Sequence, residues 1–250
     1  MSALTLSQIK AAAKAQLALD YCCKAEEFGA ARTIFTVNTR PRGRRVYRSD
    51  GCFLKVVCFE GTAVFCGDEA MLSALRSRFG DADPTWLFEL PTLRALDRML
   101  NEYGHELADA HHAYLPRPVL PALPAAGLRV LEPAELECFR GDSRFGEAFA
   151  FDETHPDVLA VVAEKNGAVV GAAGASADSD TLWQIGIDVL PAHRGRGLAS
   201  ALTAALAREI MARGRVPFYS TVESHQFSKT VAINAGFAPA WAELYTRPLA

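Results

Sequence analysis

Arg194-Gly195-Arg196-Gly197 stands directly in front of a stretch with helical spacing. Leu198, Leu202, Leu206 and Ile210 recur every four residues, which predicts a helix with one apolar face and a first turn at the glycines. Backbone N–H groups in the first turn of a helix lack intrahelical partners, and the helix dipole adds partial positive charge there. Glycines allow an anion close to that backbone and arginines add charge, so the stretch suits a diphosphate. It is not a Walker loop, which needs G-K-[ST], nor the dinucleotide fingerprint G-x-G-x-x-G.

A strand must bring the chain to this point, and "TLWQIGIDVL" does so. Val189 and Pro191 end it, and a proline there interrupts pairing and splays the strand from its neighbour. The predicted helix can then aim its N-terminus into the opened gap. Upstream lie a strand at 128–131, short helical turns at 134–148, and strands at 158–163 and 168–175 joined through Asn166-Gly167, a strong hairpin signal. Downstream, the helix runs to about Arg213, followed by Gly214, a strand "PFYSTV", a helix from about Gln226 to Ala235, Gly236, and a last strand "WAELYTR".

The prolines of 116–126 predict an extended connector between two domains, 1–115 and 127–250. In the first, Ile9, Ala13, Leu17 and Tyr21 mark an amphipathic helix. Two short strands flank Glu60-Gly61. A helix capped by Asp68 ends at Gly80, another runs from Pro91 to Gly104, and "ELADAHHAYLP" reads as a strand. The fold class expected is α/β: a C-terminal mixed sheet flanked by helices, preceded by a smaller α/β domain that shapes the acceptor site.

Composition narrows the function. The 250 residues carry a net charge of -3 and are 50% hydrophobic, enough for a core and without a basic field that would draw in nucleic acid. No apolar run is long enough for a bilayer and "MSALTLSQIK" lacks signal-peptide features, so the expectation is a cytoplasmic protein. Cys22, Cys23, Cys52, Cys58, Cys66 and Cys138 show no metal-ligand spacing and read as reduced, mostly buried thiols. The basic run 39–48, with little aromatic interleaving beyond Tyr47, reads as a mobile solvated loop. Consecutive strand residues point to opposite faces, so His111 and His112 cannot easily chelate together, and Trp183 and Trp241 read as core or cleft wall.

Val189, Pro191, Arg194, Gly195, Gly197 and Ala199 spell V-x-P-x-x-R-G-x-G-x-A, which resembles the acetyl-CoA-binding motif of the GNAT superfamily of N-acetyltransferases. "SKTVAINAGF" is similar to the family's second signature, and the resemblance extends over 127–247. The resemblance implies acetyl-CoA as co-substrate, with Ile187, Asp188 and Val189 along the pantetheine arm. It further implies the Val189 amide on the thioester carbonyl, Arg194, Gly195, Arg196, Gly197, Leu198 and Ala199 at the diphosphate, and Ser228 as a further cofactor contact. The implied reaction is direct acetyl transfer in a ternary complex to an amine, small-molecule or peptide, without metal, nucleic acid or membrane; a homodimer is compatible with it.

Two positions depart from the family pattern. His225 stands where Asn is common and Ala232 where the family's general acid, a Tyr, is common. A thiol of pKa about 8.5 leaves tolerably without a strong acid, and His225 or Tyr219 could donate instead. An alkylamine of pKa about 10 must lose a proton before attack, so a carboxylate or a carboxylate-held water is needed. Asp188, Glu223 and Glu243 are the candidates. Glu223, at a strand end near the expected cleft, is the first choice, beside its plainer reading as a solvated loop acid. The alternatives to an acetyltransferase are a catalytically weakened acyl-CoA sensor and a transferase that uses another acyl-CoA.

Overall fold

The computed structural model describes residues 4–46, 53–124 and 127–249. Tyr47, Arg48 and Cys52 lie outside them. In chain order the elements are α1 (Leu6–Asp20), β1 (Thr33–Val37), β2 (Leu54–Phe59), β3 (Thr62–Gly67), α2 (Glu69–Phe79), α3 (Leu90–Asn101) and β4 (His105–Pro116). There follow β5 (Leu128–Leu131), β6 (Asp157–Lys165), β7 (Ala168–Ser176), β8 (Leu182–Val189), α4 (Leu198–Ala212), β9 (Val216–Thr221), α5 (Gln226–Asn234) and β10 (Phe237–Pro248). No helix among the described residues is long and apolar enough to cross a membrane.

Contacts divide the chain into two compact units, Met1–Ala13 with Tyr114–Pro239, and Lys14–Ala113 with Ala240–Ala250. By contacts the end of the chain groups with Lys14–Ala113, and the first residues group with Tyr114–Pro239. The proline segment is also no free connector. Arg117 donates its N–H to the Gly236 carbonyl at 2.9 Å, Arg208 donates to the Pro121 carbonyl at 2.9 Å, and Leu120 and Leu123 pack on the core of their unit.

In the unit built on Lys14–Ala113, β2 and β3 form the expected hairpin, with Glu60 and Gly61 both left-handed at φ 46° and 76°. Parallel β1, which periodicity alone did not mark, pairs with β3. β10 pairs antiparallel with β2, Trp241 opposite Phe59. Asp68 caps α2 by accepting from the Ala70 N–H, as its type and place predict. Leu54, Val56, Phe65, Leu75, Leu96, Leu100 and Leu244 bury a common core beneath α2 and α3.

In the other unit the strand order is β9-β8-β7-β6-β5, antiparallel except for the parallel pair of β8 and β9. Asn166 and Gly167 adopt φ 51° and 78°, making the tight β6–β7 turn that the dipeptide predicts. Alternation gives the sheet two apolar faces. Val161, Ala173 and Ile185 pack with Leu202, Leu206 and Ile210 of α4, the helix face read from the four-residue spacing. Ala160, Val162 and Ala172 face the other way, under Phe139, Phe145 and Phe149 from the short helical turns.

Candidate active site

Pairing between β8 and β9 runs from Leu182 opposite Val216 to Ile185 opposite Tyr219 and stops, although both strands continue. The strands part from Gly186 onward and leave a gap that opens before the chain reaches Pro191, so the parting begins within β8 rather than at the proline. Hydrogen bonds in an antiparallel ladder alternate sides. Leu190 donates to the Val170 carbonyl at 3.0 Å, so the adjacent pair, Gly171 with Val189, is not hydrogen-bonded across β7. The Val189 N–H accordingly points into the gap. Its carbonyl, on the same side, accepts from Arg194 Nε at 2.7 Å.

Beyond Val189 a short helical turn, Pro191–His193, reverses the chain. Gly195 and Gly197 follow at φ 74° and 76°, in the left-handed region that favours glycine. A Cβ built on either would meet nothing within 4 Å, so backbone conformation rather than crowding by protein demands glycine here. The first intrahelical bond runs from the Ala201 N–H to the Gly197 carbonyl. The N–H groups of residues 195–200 consequently have no partner among the described residues, and all lie at the positive end of α4. The two arginines differ in use. Arg194 ties the loop to the end of β8, whereas exposed Arg196 has no side-chain partner among the described residues.

Tyr219 stands where the strands part. Only 3% exposed, it shares a 2.8 Å hydrogen bond with Ser228 Oγ on α5. Burial pushes its phenol above the usual tyrosine range; the Ser228 bond opposes the shift, and the charges of Glu147 and Asp188 add to it. Tyr114, also buried, is raised by burial too, with Lys229 lowering and Glu223 raising it. Both tyrosines therefore carry their protons at neutral pH.

The carboxylates expected to serve as base are placed differently from one another. Asp188 Oδ2 accepts from the backbone N–H groups of Glu147 at 2.8 Å and Ala148 at 3.0 Å, so it holds a loop. Glu223, with its side chain 71% exposed, pairs with Lys229 Nζ at 2.7 Å, which matches its plainer reading as a solvated acid. We expect Glu223→Gln to leave kcat within about twofold, because an exposed pair contributes little beyond its own contact; steady-state kinetics check it. Glu243 belongs to the other unit, where it is buried against Arg45. His225 is exposed at the α5 N-terminus and makes no side-chain cap. Ala232 is fully buried in the core, so no proton donor stands at that position.

Sequence reasoning did not single out Glu147 and Tyr114, whose charges act on Tyr219. The available signal for Glu147 was glycine inside strands, which marks close approach of another backbone. A Cβ on Gly174 would lie 2.0 Å from the Ala148 carbonyl oxygen, and one on Gly186 1.9 Å from that of Glu147. Ile187, half-buried, packs on the α4 side of the sheet. No group of three or more His, Cys, Asp or Glu able to hold a metal occurs among the described residues.

Residues 128–229 match the family model described as the acetyltransferase (GNAT) family. Similar solved structures include an acetyltransferase from the GNAT family of Colwellia psychrerythraea, at 13% identity over 61% of this chain and 61% of that one, TM-score 0.45. A GCN5-related N-acetyltransferase from Kribbella flavida follows, at 19% identity over 62% and 63%, TM-score 0.45. An aminoglycoside N-acetyltransferase in complex with CoA is 27% identical over 44% of this chain and 90% of that one, TM-score 0.33. The chain spans less than two thirds of the length of the Colwellia and Kribbella proteins. No curated protein matches it. The motif at 189–199 lies inside the matched segment, just beyond the point where β8 and β9 part, so residues 128–229 of this chain carry a GNAT-type acetyltransferase domain.

Proposed function

We propose that the protein transfers an acetyl group from acetyl-CoA to an amine within a ternary complex. One observation carries the reading: a single opened gap has the free Val189 N–H on its wall and the unpartnered N–H groups of residues 195–200 at its exit. A pantetheine thioester and a diphosphate joined to it fit that pair of donors. Gly195 and Gly197 leave the cradle open, since nothing of the protein lies within 4 Å of either missing Cβ. Residues 195–199 and Arg196 would hold the diphosphate, and the Val189 N–H would accept the charge that builds on the thioester oxygen during attack.

Expulsion of the thiolate completes the transfer. Tyr219, protonated and linked to Ser228, would return a proton to sulfur, in place of the absent tyrosine at Ala232. Its contribution is modest, because a thiol of pKa about 8.5 is already a fair leaving group. Tyr219→Phe is expected to lower kcat about tenfold while changing the Kd for CoA less than twofold. An unchanged kcat removes Tyr219 from the role.

The direct test is release of free CoA thiol from acetyl-CoA across a mixed amine panel. Turnover that requires both substrates supports the transferase. Calorimetric binding of CoA without turnover supports a sensor instead, the reading that Ala232 favours. Propionyl- and succinyl-CoA in the same assay decide the acyl preference.

A further inference from the structure

We propose that Cys22 and Cys66 form a two-coordinate site for a soft monovalent cation of the copper(I) class. The site lies wholly within the unit built on Lys14–Ala113 and is independent of the acetyl-transfer reading.

Strand register brings the two thiols together. Residues directly opposite each other in neighbouring strands point to the same face of a sheet. Cys66 of β3 stands opposite Thr36 of β1 and Lys55 of β2, so these three side chains form one row. The other face of the same strands carries Val56 and Phe65, in the core beneath α2 and α3. The end of α1 covers the row: Thr36 Oγ1 donates to the Tyr21 carbonyl at 2.6 Å, and Lys55 Nζ lies 5.3 Å from the centre of the Tyr21 ring. Cys22, the next residue, therefore meets Cys66, and the two thiols share a hydrogen bond.

The turn out of α1 aims Cys22. The Cys23 N–H closes the helix on the Ala18 carbonyl at 3.0 Å, with Cys22 left-handed at φ 53°, the place in such a terminus that glycine usually takes. Cys22 Sγ also shares a 3.4 Å hydrogen bond with Thr39 Oγ1. Cys22, Cys23, Thr36 and Thr39 stand in the wall of an open groove of about 640 Å³. Cys66 has no exposed surface, so an ion entering from the groove meets Cys22 first.

Donor type and donor number select the ion. Thiolates favour soft metals. Zinc takes four donors in a closed site, and among the described residues no group of three or more His, Cys, Asp or Glu is able to hold a metal. Copper(I) and silver(I), whose filled d shells impose no geometry, are satisfied by two thiolates in line. Charge points the same way. Two thiolates and a monovalent cation leave one negative charge, and the Lys55 ammonium, 8% exposed and opposite Cys66, offsets it. The ion takes the place of the thiol protons, which pass to water, so it can use a thiol that burial keeps from acting as a nucleophile.

The test titrates the full, reduced chain under argon with copper(I) held by bicinchoninate, and separately with silver(I), which brings no redox chemistry. Wild type is compared with Cys22→Ala, Cys66→Ala and the double variant, and with Cys23→Ser and Cys138→Ser as thiol controls. We expect the tightest-bound ion to leave the chelator for the protein and to give a sulfur-to-metal absorption band in the near ultraviolet. Cys22→Ala, Cys66→Ala and the double variant lose affinity at least about a hundredfold, while Cys23→Ser and Cys138→Ser stay within about threefold. Cys22 stands at the groove wall, so its variant reads the site even where Cys66→Ala disturbs packing. Excess zinc leaves the copper(I) titration unchanged. Wild type that takes copper(I) no more tightly than the double variant, an unchanged affinity in Cys22→Ala, an equal loss in Cys23→Ser, or displacement by zinc overturns the site.

Discussion

Gly197→Asp is expected to weaken CoA binding by at least about a hundredfold while leaving the fold intact. A Cβ at Gly197 meets open space, so the new side chain enters no protein atom. Two effects remain. The left-handed φ of 76° costs a side-chain-bearing residue roughly 1–2 kcal/mol. The larger effect is charge: a carboxylate beside the unpartnered N–H groups competes with the diphosphate and repels it by about 4 kcal/mol at 4 Å in an intermediate dielectric. Gly197→Ala separates the two, since it carries the strain without the charge and should lose about tenfold or less. Titration calorimetry with CoA reads all three proteins. Equal affinity in Gly197→Asp and wild type would place the diphosphate elsewhere and remove the foundation of the proposed function.

The second large effect concerns stability. Arg45, 3% exposed, lies between two buried carboxylates, with Nε on Asp20 at 2.5 Å and Nη2 on Glu243 at 2.5 Å. Tyr21 and Tyr245 donate to Glu243 at 3.2 and 2.9 Å, and Gln16 donates to Asp20 at 2.8 Å. Arg45→Ala strands both carboxylates in a dry interior, where loss of one partner typically costs about 3–5 kcal/mol. For a chain of this length that is a fall in melting midpoint of about 10 °C, at roughly 2–4 °C per kcal/mol. Thermal unfolding by circular dichroism checks it. A shift under about 2 °C would mean that Lys55, itself 8% exposed above the Tyr21 ring, compensates the lost cation. The same cluster holds Glu243 in a buried ion pair, and it corrects one sequence expectation: the basic run is anchored at Arg45 rather than solvated along its described length.

Several expectations about thiols also meet their physical limits here. Cys58 and Cys66 are pushed up to about 12 by burial, as is Cys23 to about 12, so these three are inert thiols at neutral pH. Cys138 is exposed instead and donates a hydrogen bond to the Glu135 carbonyl at 3.2 Å.

What could be read in advance was local. The Asn166-Gly167 and Glu60-Gly61 turns, the Asp68 cap, the four-residue stripe of α4 and the glycines of the loop all depend on residues a few positions apart. Their conformational preferences act before any long-range contact forms. The motif at 189–199 belongs to this class, whereas β8 parts from β9 already at Gly186, ahead of the proline.

The carboxylates were of another kind. Glu223, Asp188 and Glu243 look alike in sequence, yet one is a solvated ion pair, one a clamp on a loop 41 and 40 residues upstream, and one a partner of Arg45 at a separation of 198 residues. Glu147 gains its place only because two strand glycines lie under its backbone and the next carbonyl. Chain order thus determined where an anion could dock and which strand had to splay, since both follow from backbone geometry within a few residues. Tertiary packing decided which charged group is buried, paired or free, because desolvation and partner distance exist only after distant segments meet.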